Sequence, residues 1–318
     1  MIEKIKRNLY IVFGLAIIIY LIFAIFTNIN DLASTLKSFN WFYLPLLLLF
    51  SYLNYLSRFV KWHYYVKLLK INTSMKLSFS IFMSGLAMSL TPGKMGEVLK
   101  SYMLKQTSGE SISKTAPIVF IERVTDFLSL VLLSLIGAIY FNFGIISTLI
   151  VGIFFIILVL IISNKEISFK LIDILQKIKI IKKQAKKLHD AYESSYKMLQ
   201  FKPLTYMVLV SFIAWFFECL GFYFVLHNFD KNILFILPIF VYSFSTIIGS
   251  VTMLPGGLGA TEGSLTYLLH INGFSKEEAL ASTFIIRTVT LWFALAIGVI
   301  HLFYFQKKYG DISIDKQE

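Results

Sequence analysis

The chain has 318 residues, of which 57% are hydrophobic and only 15% are charged, and its mean hydropathy is +0.73. Soluble proteins carry about 25% charged residues, and several apolar runs here reach the ~20 residues that span a bilayer. This composition excludes an ordinary soluble domain and predicts an all-α polytopic membrane protein. The formal net charge of +12 does not indicate a nucleic-acid partner, because the basic residues separate apolar runs, where they set topology and meet anionic lipid.

Six apolar runs are predicted to cross the membrane, and two further apolar regions are interrupted. The first run, residues 9–26, is longer than a signal-peptide core and lacks a small-residue cleavage site, so we interpret it as a retained span. Within the interrupted regions, the arms 77–90, 95–105 and 258–271 are too short to cross at about 1.5 Å per residue, whereas the arm 233–252 is long enough. The predicted spans are residues 9–26, 41–57, 115–140, 145–163, 204–226 and 279–305, and the interrupted regions are 77–105 and 233–271.

The interruptions are two similar Pro-Gly elements. Residues 90–97 read Leu-Thr-Pro-Gly-Lys-Met-Gly-Glu, and residues 253–262 read Met-Leu-Pro-Gly-Gly-Leu-Gly-Ala-Thr-Glu. Proline removes a backbone donor and glycine permits unusual turns, so the freed backbone groups must be satisfied within the protein or by water in a cavity. We therefore predict two broken helices that line a site, a structural kink being the alternative. The predicted hinge residues are Pro92, Gly93, Gly96, Pro255, Gly256, Gly257 and Gly259.

The distribution of basic residues predicts the topology. Segments assigned to one side of the membrane hold 23 lysines and arginines, and the opposite loops hold only three. This bias predicts that both termini are cytoplasmic. Each interrupted region then returns to the side from which it starts. Residues 1–318 are accordingly predicted to form one transmembrane domain whose halves, 41–140 and 204–305, are inverted-topology repeats with a broken hairpin in each.

Residues 164–202 are predicted to join the two halves. This segment holds ten lysines and four acidic residues, and its apolar residues recur at helical spacing. We interpret it as a basic amphipathic cytoplasmic linker that lies along the inner leaflet. The alternative is an ordinary solvated connecting helix.

Several charged residues fall at membrane depth, where they are costly and normally face a cavity or a partner. Glu122, Arg123 and Asp126 share one broad helix face, which indicates either a headgroup site or a structural ion-pair cluster. Arg123 and Arg287 follow the two prolines by 31 and 32 residues.

The acidic residues at membrane depth allow further predictions. Glu97 and Glu262 follow the breaks, and each is predicted to pair with the arginine of its own half or of the other half. Glu218 lies alone in a span, where burial favours the neutral carboxyl, so it is a candidate for proton coupling or for a hydrogen-bonded structural role. Neither a metal site nor a cofactor is expected.

Three motifs resemble those of the lysylphosphatidylglycerol synthase transmembrane (flippase-like) family. They are Thr-Pro-Gly-Lys-Met-Gly-Glu-Val-Leu-Lys at 91–100, Glu-Arg at 122–123 with Asp126, and Leu-Pro-Gly-Gly-Leu-Gly-Ala-Thr-Glu-Gly at 254–263. The resemblance covers essentially the whole chain and implies an integral lipid-handling protein. In the best-known members this module moves an aminoacylated phospholipid between leaflets, and a separate soluble domain makes that lipid. We do not expect the aminoacyl-transferase activity here, because the chain ends just past its last predicted span.

The resemblance and the paired motifs predict a flippase-like protein of the cell membrane that translocates a phospholipid or a polyprenyl-linked lipid. Lys94, Arg123 and Arg287 are expected to contact the headgroup phosphate. Their expected partners are Glu97, Glu122, Asp126 and Glu262, which would otherwise pair with a cationic headgroup.

The expected ligands are anionic or polyprenyl-phosphate lipids, and a separate synthase or glycosyltransferase is an expected partner. One alternative is a membrane enzyme or accessory subunit of lipid-linked glycan or aminoacyl-lipid assembly, with Glu97 or Glu262 as general base. The other alternative is a membrane scaffold for a partner enzyme.

Overall fold

The computed structural model describes Gly14 and residues 29–176, 184–229 and 232–312. All regular structure within these ranges is helical. The predicted span 9–26 lies outside the described residues except for Gly14, and so do residues 177–183 of the predicted linker. The helices are α1 Ile29–Ser38, α2 Leu44–Leu68, α3 Met75–Gly85, α4 Leu99–Ser108, α5 Ile112–Tyr140, α6 Ile145–Ser163, α7 Lys165–Gln176, α8 Ala185–Met198, α9 Phe201–His227, α10 Ile236–Val251, α11 Ala260–Ile271, α12 Lys276–Arg287 and α13 Phe293–Tyr309.

Tighter or wider turns connect some of these helices. Three-ten turns occur at Trp41–Tyr43, Leu86–Met88, Pro92–Val98 and Pro255–Gly257, and a π-helical turn, Thr288–Trp292, joins α12 to α13. The π-turn follows Arg287 directly, so α12, the turn and α13 form one continuous helix. Such turns are rare and frequently mark functional sites.

Helices of membrane-spanning length occur where the sequence predicts spans. Within the described residues, three stretches are long and apolar enough to cross a bilayer: α6, α9 and the continuous helix Lys276–Tyr309. They coincide with the predicted spans 145–163, 204–226 and 279–305. Helices α2 and α5 have 25 and 29 residues and are therefore also long enough, but both carry buried charged residues.

The predicted span 41–57 is wrong at its C-terminal end. Helix α2 continues to Leu68, and Arg58 and Lys61 on it are 5% and 0% exposed. The charge count above places both in the cytoplasmic segment between the span 41–57 and the first interrupted region. The charges obscured the continuation of the helix, because their acidic partners, Glu97 and Asp126, lie far away in the sequence. Without them the predicted cytoplasmic segments still hold 21 basic residues against three in the opposite loops.

The same order of elements occurs in both halves of the chain. In the first half α2 precedes α3, the break at Pro92–Val98, α4 and α5. In the second half α9 precedes α10, the break at Pro255–Gly257, α11 and the α12–α13 helix. All four arms beside the breaks are short, and α10, with 16 residues, falls below the ~20 residues of a full span.

Helices of one half pack against helices of the other half, and this packing brings the two breaks together. Helix α2 packs against α9, α5 against α10, and α3 against α13. Leu90, just before the first break, shares an apolar cluster with Leu258, Leu291 and Leu295 around the second break. The core between α9 and α10 also buries Cys219, the single cysteine of the chain. Broken backbone from both halves therefore meets at the centre of the molecule.

The linker contributes α7 and α8. Helix α8 packs against α5 as well as against α7, and Tyr192 and Ser194 on it are buried. The described part of the linker is therefore integrated into the fold, in addition to connecting the two halves.

Candidate functional site

The first break holds two consecutive residues in left-handed backbone conformation. Gly93 has φ 56° and ψ 15°, and Lys94 has φ 56° and ψ 23°. The second break has Gly256 at φ 60° and Gly257 at φ 68°. A side chain in this conformation costs about 1–2 kcal/mol, which glycine avoids. Lys94 therefore occupies with a side chain the position that the second half gives to glycine, and such strain often marks a functional site.

Thr91 stabilises the first break. Its carbonyl accepts from the Lys94 N–H at 2.8 Å, and its Oγ1 accepts from the Gly96 N–H at 2.8 Å. Two backbone donors freed by the interruption are satisfied in this way, as burial in a membrane requires. Thr91 precedes Pro92 directly, so the motif itself supplies the residue that holds the turn.

The second break is held by an ion pair of its own half. Arg287 Nε donates to Glu262 Oε1 at 2.7 Å, and Arg287 Nη2 donates to the Gly256 carbonyl at 2.6 Å. The Gly259 N–H donates to Glu262 Oε2 at 2.7 Å. The Arg287–Glu262 pair thus satisfies both a carbonyl and an amide at the break. Glu262 is fully buried.

The acidic and basic residues predicted on α5 form the centre of a buried charge cluster in the first half. Arg123 Nη2 lies 3.3 Å from Asp126 Oδ2 and 3.5 Å from Glu97 Oε2. Glu122 lies on the same helix and is 1% exposed. Each arginine therefore pairs with the glutamate of its own half, which decides between the two pairings that the sequence left open.

Three basic members of this cluster are absent from the predicted site residues: Arg58, Lys61 and Lys100. Lys61 Nζ donates to Asp126 Oδ1 at 2.5 Å, and Lys100 Nζ donates to Glu122 Oε2 at 2.7 Å. Two features of the sequence point to them. Arg58 and Lys61 are three residues apart and so share a helix face, and Lys100 follows the first break at membrane depth.

Arg58 is less tightly engaged than the two lysines. Its Nη2 lies 3.9 Å from Glu97 Oε1 and 3.8 Å from Asp126 Oδ2, beyond hydrogen-bond distance. Several buried atoms of the cluster have no hydrogen-bond partner among the described residues: Arg58 Nε, Arg123 Nε, Glu97 Oε1, Glu122 Oε1 and Asp126 Oδ2. Buried polar atoms are normally satisfied, so the cluster retains capacity for a polar ligand.

One cavity, the central cavity, is lined by both breaks and by Arg58, Arg123 and Asp126 of the charge cluster. Its volume is 610 Å³. Helix α6 forms part of its wall with apolar residues, of which Ile150 and Phe154 are 62% and 59% exposed and so also belong to the outer surface of the helix. The wall therefore combines buried charge with apolar surface that is continuous with the outside of the bundle. The charged residues in its lining are Arg58, Lys94, Arg123, Asp126, Glu218 and Arg287, and the glycines of the breaks in its lining are Gly93, Gly256 and Gly257.

A second cavity, the side cavity, lies between α5 and the linker helix α8. It has a volume of 790 Å³, and its charged lining residues within the described chain are all basic: Lys94, Lys105, Arg123 and Lys187. Lys94 and Arg123 line both cavities. They therefore stand at the boundary between the space beside the linker and the space between the breaks.

Glu218 has a partner that the sequence did not predict. The Tyr242 hydroxyl of α10 donates to Glu218 Oε2 at 2.7 Å, and both residues line the central cavity. Nearby, the Tyr55 hydroxyl donates to the carbonyl of Thr290 in the π-turn at 2.6 Å. Among the described residues no group of three or more His, Cys, Asp or Glu side chains is placed to hold a metal ion.

Comparison with known proteins identifies similar membrane proteins. The family described as the lysylphosphatidylglycerol synthase TM region matches residues 11–298. A UPF0104 membrane protein of Methanocaldococcus jannaschii is 29% identical over 68% of this chain and 92% of its own length. UPF0104 membrane proteins of Methanothermobacter thermautotrophicus and Pyrococcus horikoshii are 24% and 25% identical, over 81% and 92% of this chain and 83% and 95% of theirs.

Proposed function

The chain belongs to the family of the lysylphosphatidylglycerol synthase TM region, and we propose that it binds the headgroup of a membrane lipid in the central cavity and transfers that lipid between leaflets. One observation carries this proposal. Both Pro-Gly breaks and the cations Arg58, Lys94, Arg123 and Arg287 line the same cavity, whose remaining wall includes apolar residues of α6. Arg58 and Arg287 are buried, and Lys94 and Arg123 are partly buried.

The chemistry of the cavity suits an amphiphile. Cations at membrane depth attract a phosphate, and guanidinium groups bind phosphate oxygens with charge-assisted hydrogen bonds. Ile150 and Phe154, exposed on the outside of α6, offer hydrocarbon contact to the lipid tails. A small water-soluble substrate would make no favourable contact with this apolar side of the cavity, so a lipid fits the lining better.

The repeated order of helix, break and helix supports an inverted repeat as the basis of transfer. In this proposal both termini are cytoplasmic, and the two broken hairpins reach the central cavity from opposite sides of the cell membrane. Small movements of one half against the other would then open the cavity to one leaflet at a time, as in other transporters built from inverted repeats. Lys94 and Arg123, which line both cavities, would contact the headgroup during passage.

The proposal is tested by filling the central cavity without changing its charge. Ser250 lies on its wall and is partly exposed to it. In liposomes that contain the purified protein and a trace of acyl-labelled fluorescent phospholipid, transfer is measured as the fraction of label that an impermeant reductant quenches with time. We expect Ser250→Trp to lower the transfer rate at least about tenfold, a loss that corresponds to about 1.4 kcal/mol.

The matched control places the same side chain outside the cavity. Ser147 lies on the exposed surface of α6, so Ser147→Trp is expected to transfer lipid at the wild-type rate. Equal rates for wild type and Ser250→Trp, with both proteins folded, would exclude the central cavity as the transfer route. Absence of transfer by the wild type for every lipid tested would reject the proposed function.

A further inference from the structure

The cations and acids of the first-half cluster do not balance. Three close pairs use up the three acids: Lys61 with Asp126 at 2.5 Å, Lys100 with Glu122 at 2.7 Å, and Arg123 with Glu97 at 3.5 Å. Two cations remain. Arg58 approaches the same acids only at 3.8 and 3.9 Å, and the Lys94 side chain makes no hydrogen bond or ion pair with any described residue.

Both surplus cations lie where a ligand would meet them. Arg58 is 5% exposed and has an unpartnered Nε, and Lys94 is partly buried; both line the central cavity. A cation at membrane depth without a close partner is unfavourable, because the low dielectric neither solvates nor screens it. A bound anion would remove this penalty at both residues.

The whole central cavity also carries a surplus of positive charge. Its described lining holds four cations, Arg58, Lys94, Arg123 and Arg287, against two acids, Asp126 and Glu218. Two further cations, Lys61 and Lys100, and three further acids, Glu97, Glu122 and Glu262, lie directly behind the lining. The complete set therefore keeps at least one surplus positive charge, even with Glu218 counted as ionised.

An amine in the ligand would find few free acids. The first-half acids and Glu262 each have a cation within ion-pair distance. Glu218 has no such ion pair with a described residue, but its Oε2 already accepts from Tyr242. An ammonium group in the cavity would therefore add repulsion from Arg58 and Lys94 with little compensating attraction.

From these contacts we infer that Arg58 and Lys94 determine specificity, selecting a lipid with a net-negative phosphate headgroup that carries no amine. The inference rests on the proposed function, of which it names the substrate class. It separates this chain from the aminoacylated, cationic lipid that the family name implies. Because both residues act through charge, the preference is for headgroups of phosphatidylglycerol or phosphatidic acid type over zwitterionic or cationic ones.

The inference is tested with four fluorescent lipids that share the same acyl chains and differ only in headgroup. These are phosphatidic acid, phosphatidylglycerol, phosphatidylethanolamine and lysyl-phosphatidylglycerol, each present as a trace in phosphatidylcholine liposomes. We expect the wild type to transfer the two anionic lipids about tenfold or more faster than phosphatidylethanolamine, and lysyl-phosphatidylglycerol most slowly. A factor of ten corresponds to about 1.4 kcal/mol of discrimination.

Variants of Lys94 assign the discrimination to its charge. Its side chain makes no bond that folding would lose, so Lys94→Gln is expected to fold and to lower the ratio of phosphatidylglycerol to phosphatidylethanolamine transfer about tenfold, as one surplus charge is removed. Lys94→Arg keeps the charge and is expected to keep the ratio. The control Lys202→Gln removes a lysine that is exposed at the start of α9, away from the cavity, and should behave as wild type.

The outcomes separate this inference from the proposed function. Transfer of phosphatidylethanolamine or lysyl-phosphatidylglycerol at least as fast as phosphatidylglycerol, or an unchanged ratio in Lys94→Gln, overturns the inference and leaves lipid transfer standing. Should no lipid be transferred, the proposed function fails. Thermal unfolding of the detergent-solubilised protein with each lipid then decides the inference, since a bound ligand raises the midpoint. If inorganic phosphate raised the unfolding midpoint as much as phosphatidylglycerol does, the site would bind a free anion. The inference that it selects a lipid headgroup would then be overturned.

Discussion

At the scale of single residues, Lys61 shows how a charge is accommodated at membrane depth. It is 0% exposed, and its ammonium group lies within hydrogen-bond distance of Asp126, of the hydroxyls of Thr125 and Ser211, and of the Glu122 carbonyl. Ser211 lies on α9, so this one side chain connects both halves. Its role is structural, whereas Arg58, one turn earlier on α2, faces the cavity.

Loss of the Lys61 charge should therefore destabilise the fold. We expect Lys61→Met to lower the free energy of unfolding by about 3 kcal/mol, because Asp126 loses its closest cation while remaining buried. Adding Asp126→Asn should recover part of this loss, since the unpaired charge is then removed. Thermal unfolding in one detergent measures both effects, with the exposed Lys202→Met as control. An unchanged unfolding midpoint in Lys61→Met would contradict the structural role.

At the scale of elements, close contact between helices depends on small residues. Helix α13 crosses the end of α3 at Gly298, where an added Cβ would overlap the backbone of Leu86 and Ala87. Those residues form the turn that leads into the first break. The contact thus fixes the position of that break relative to the helix that carries Arg287. The intervening π-turn presents its Thr290 carbonyl to Tyr55 of α2.

This contact predicts a contrast between two glycines inside helices. Gly298→Ala is expected to cost about 1–3 kcal/mol of unfolding free energy, because backbone atoms cannot move aside as a side chain could. Gly221→Ala, whose added Cβ would meet only side-chain atoms at 3.8 Å or more, should be neutral or stabilise by up to about 1 kcal/mol through helix propensity. Thermal unfolding of both proteins in detergent checks the contrast, and equal midpoints would show that α13 does not pack closely at Gly298.

At the scale of the whole molecule, the bias of basic residues predicts the orientation in the membrane. Lys37 and Lys202 lie on opposite sides in this prediction, and both are exposed. With a membrane-impermeant maleimide on intact cells, we expect Lys37→Cys to be labelled and Lys202→Cys to be labelled only after permeabilisation. The native Cys219 is 0% exposed, so the unmodified chain serves as the background control. Labelling of Lys202→Cys on intact cells would reverse the orientation or reject it.

The sequence predicted the breaks and the membrane class because their causes are local. Proline and glycine interrupt a helix wherever they occur, and apolar length is read directly from the chain. The contents of the cluster depend on tertiary pairing. Arg58 and Lys61 resembled loop charges because their partners Glu97 and Asp126 are distant in sequence. The Tyr242 partner of Glu218 could not be predicted for the same reason. The sequence also could not decide whether each arginine pairs with the glutamate of its own half or of the other half, because that depends on how the halves pack.

The mixed wall of the central cavity has a consequence for what the protein can distinguish. In the proposed function, the headgroup passes the cations while the tails leave past Ile150 and Phe154 into the surrounding hydrocarbon. The protein would then not distinguish lipids by tail length, by unsaturation or by whether the tails are acyl or isoprenoid, because the tails would contact the bilayer instead. Evolution could change the organism's lipid tails freely while Arg58 and Lys94 stayed as they are.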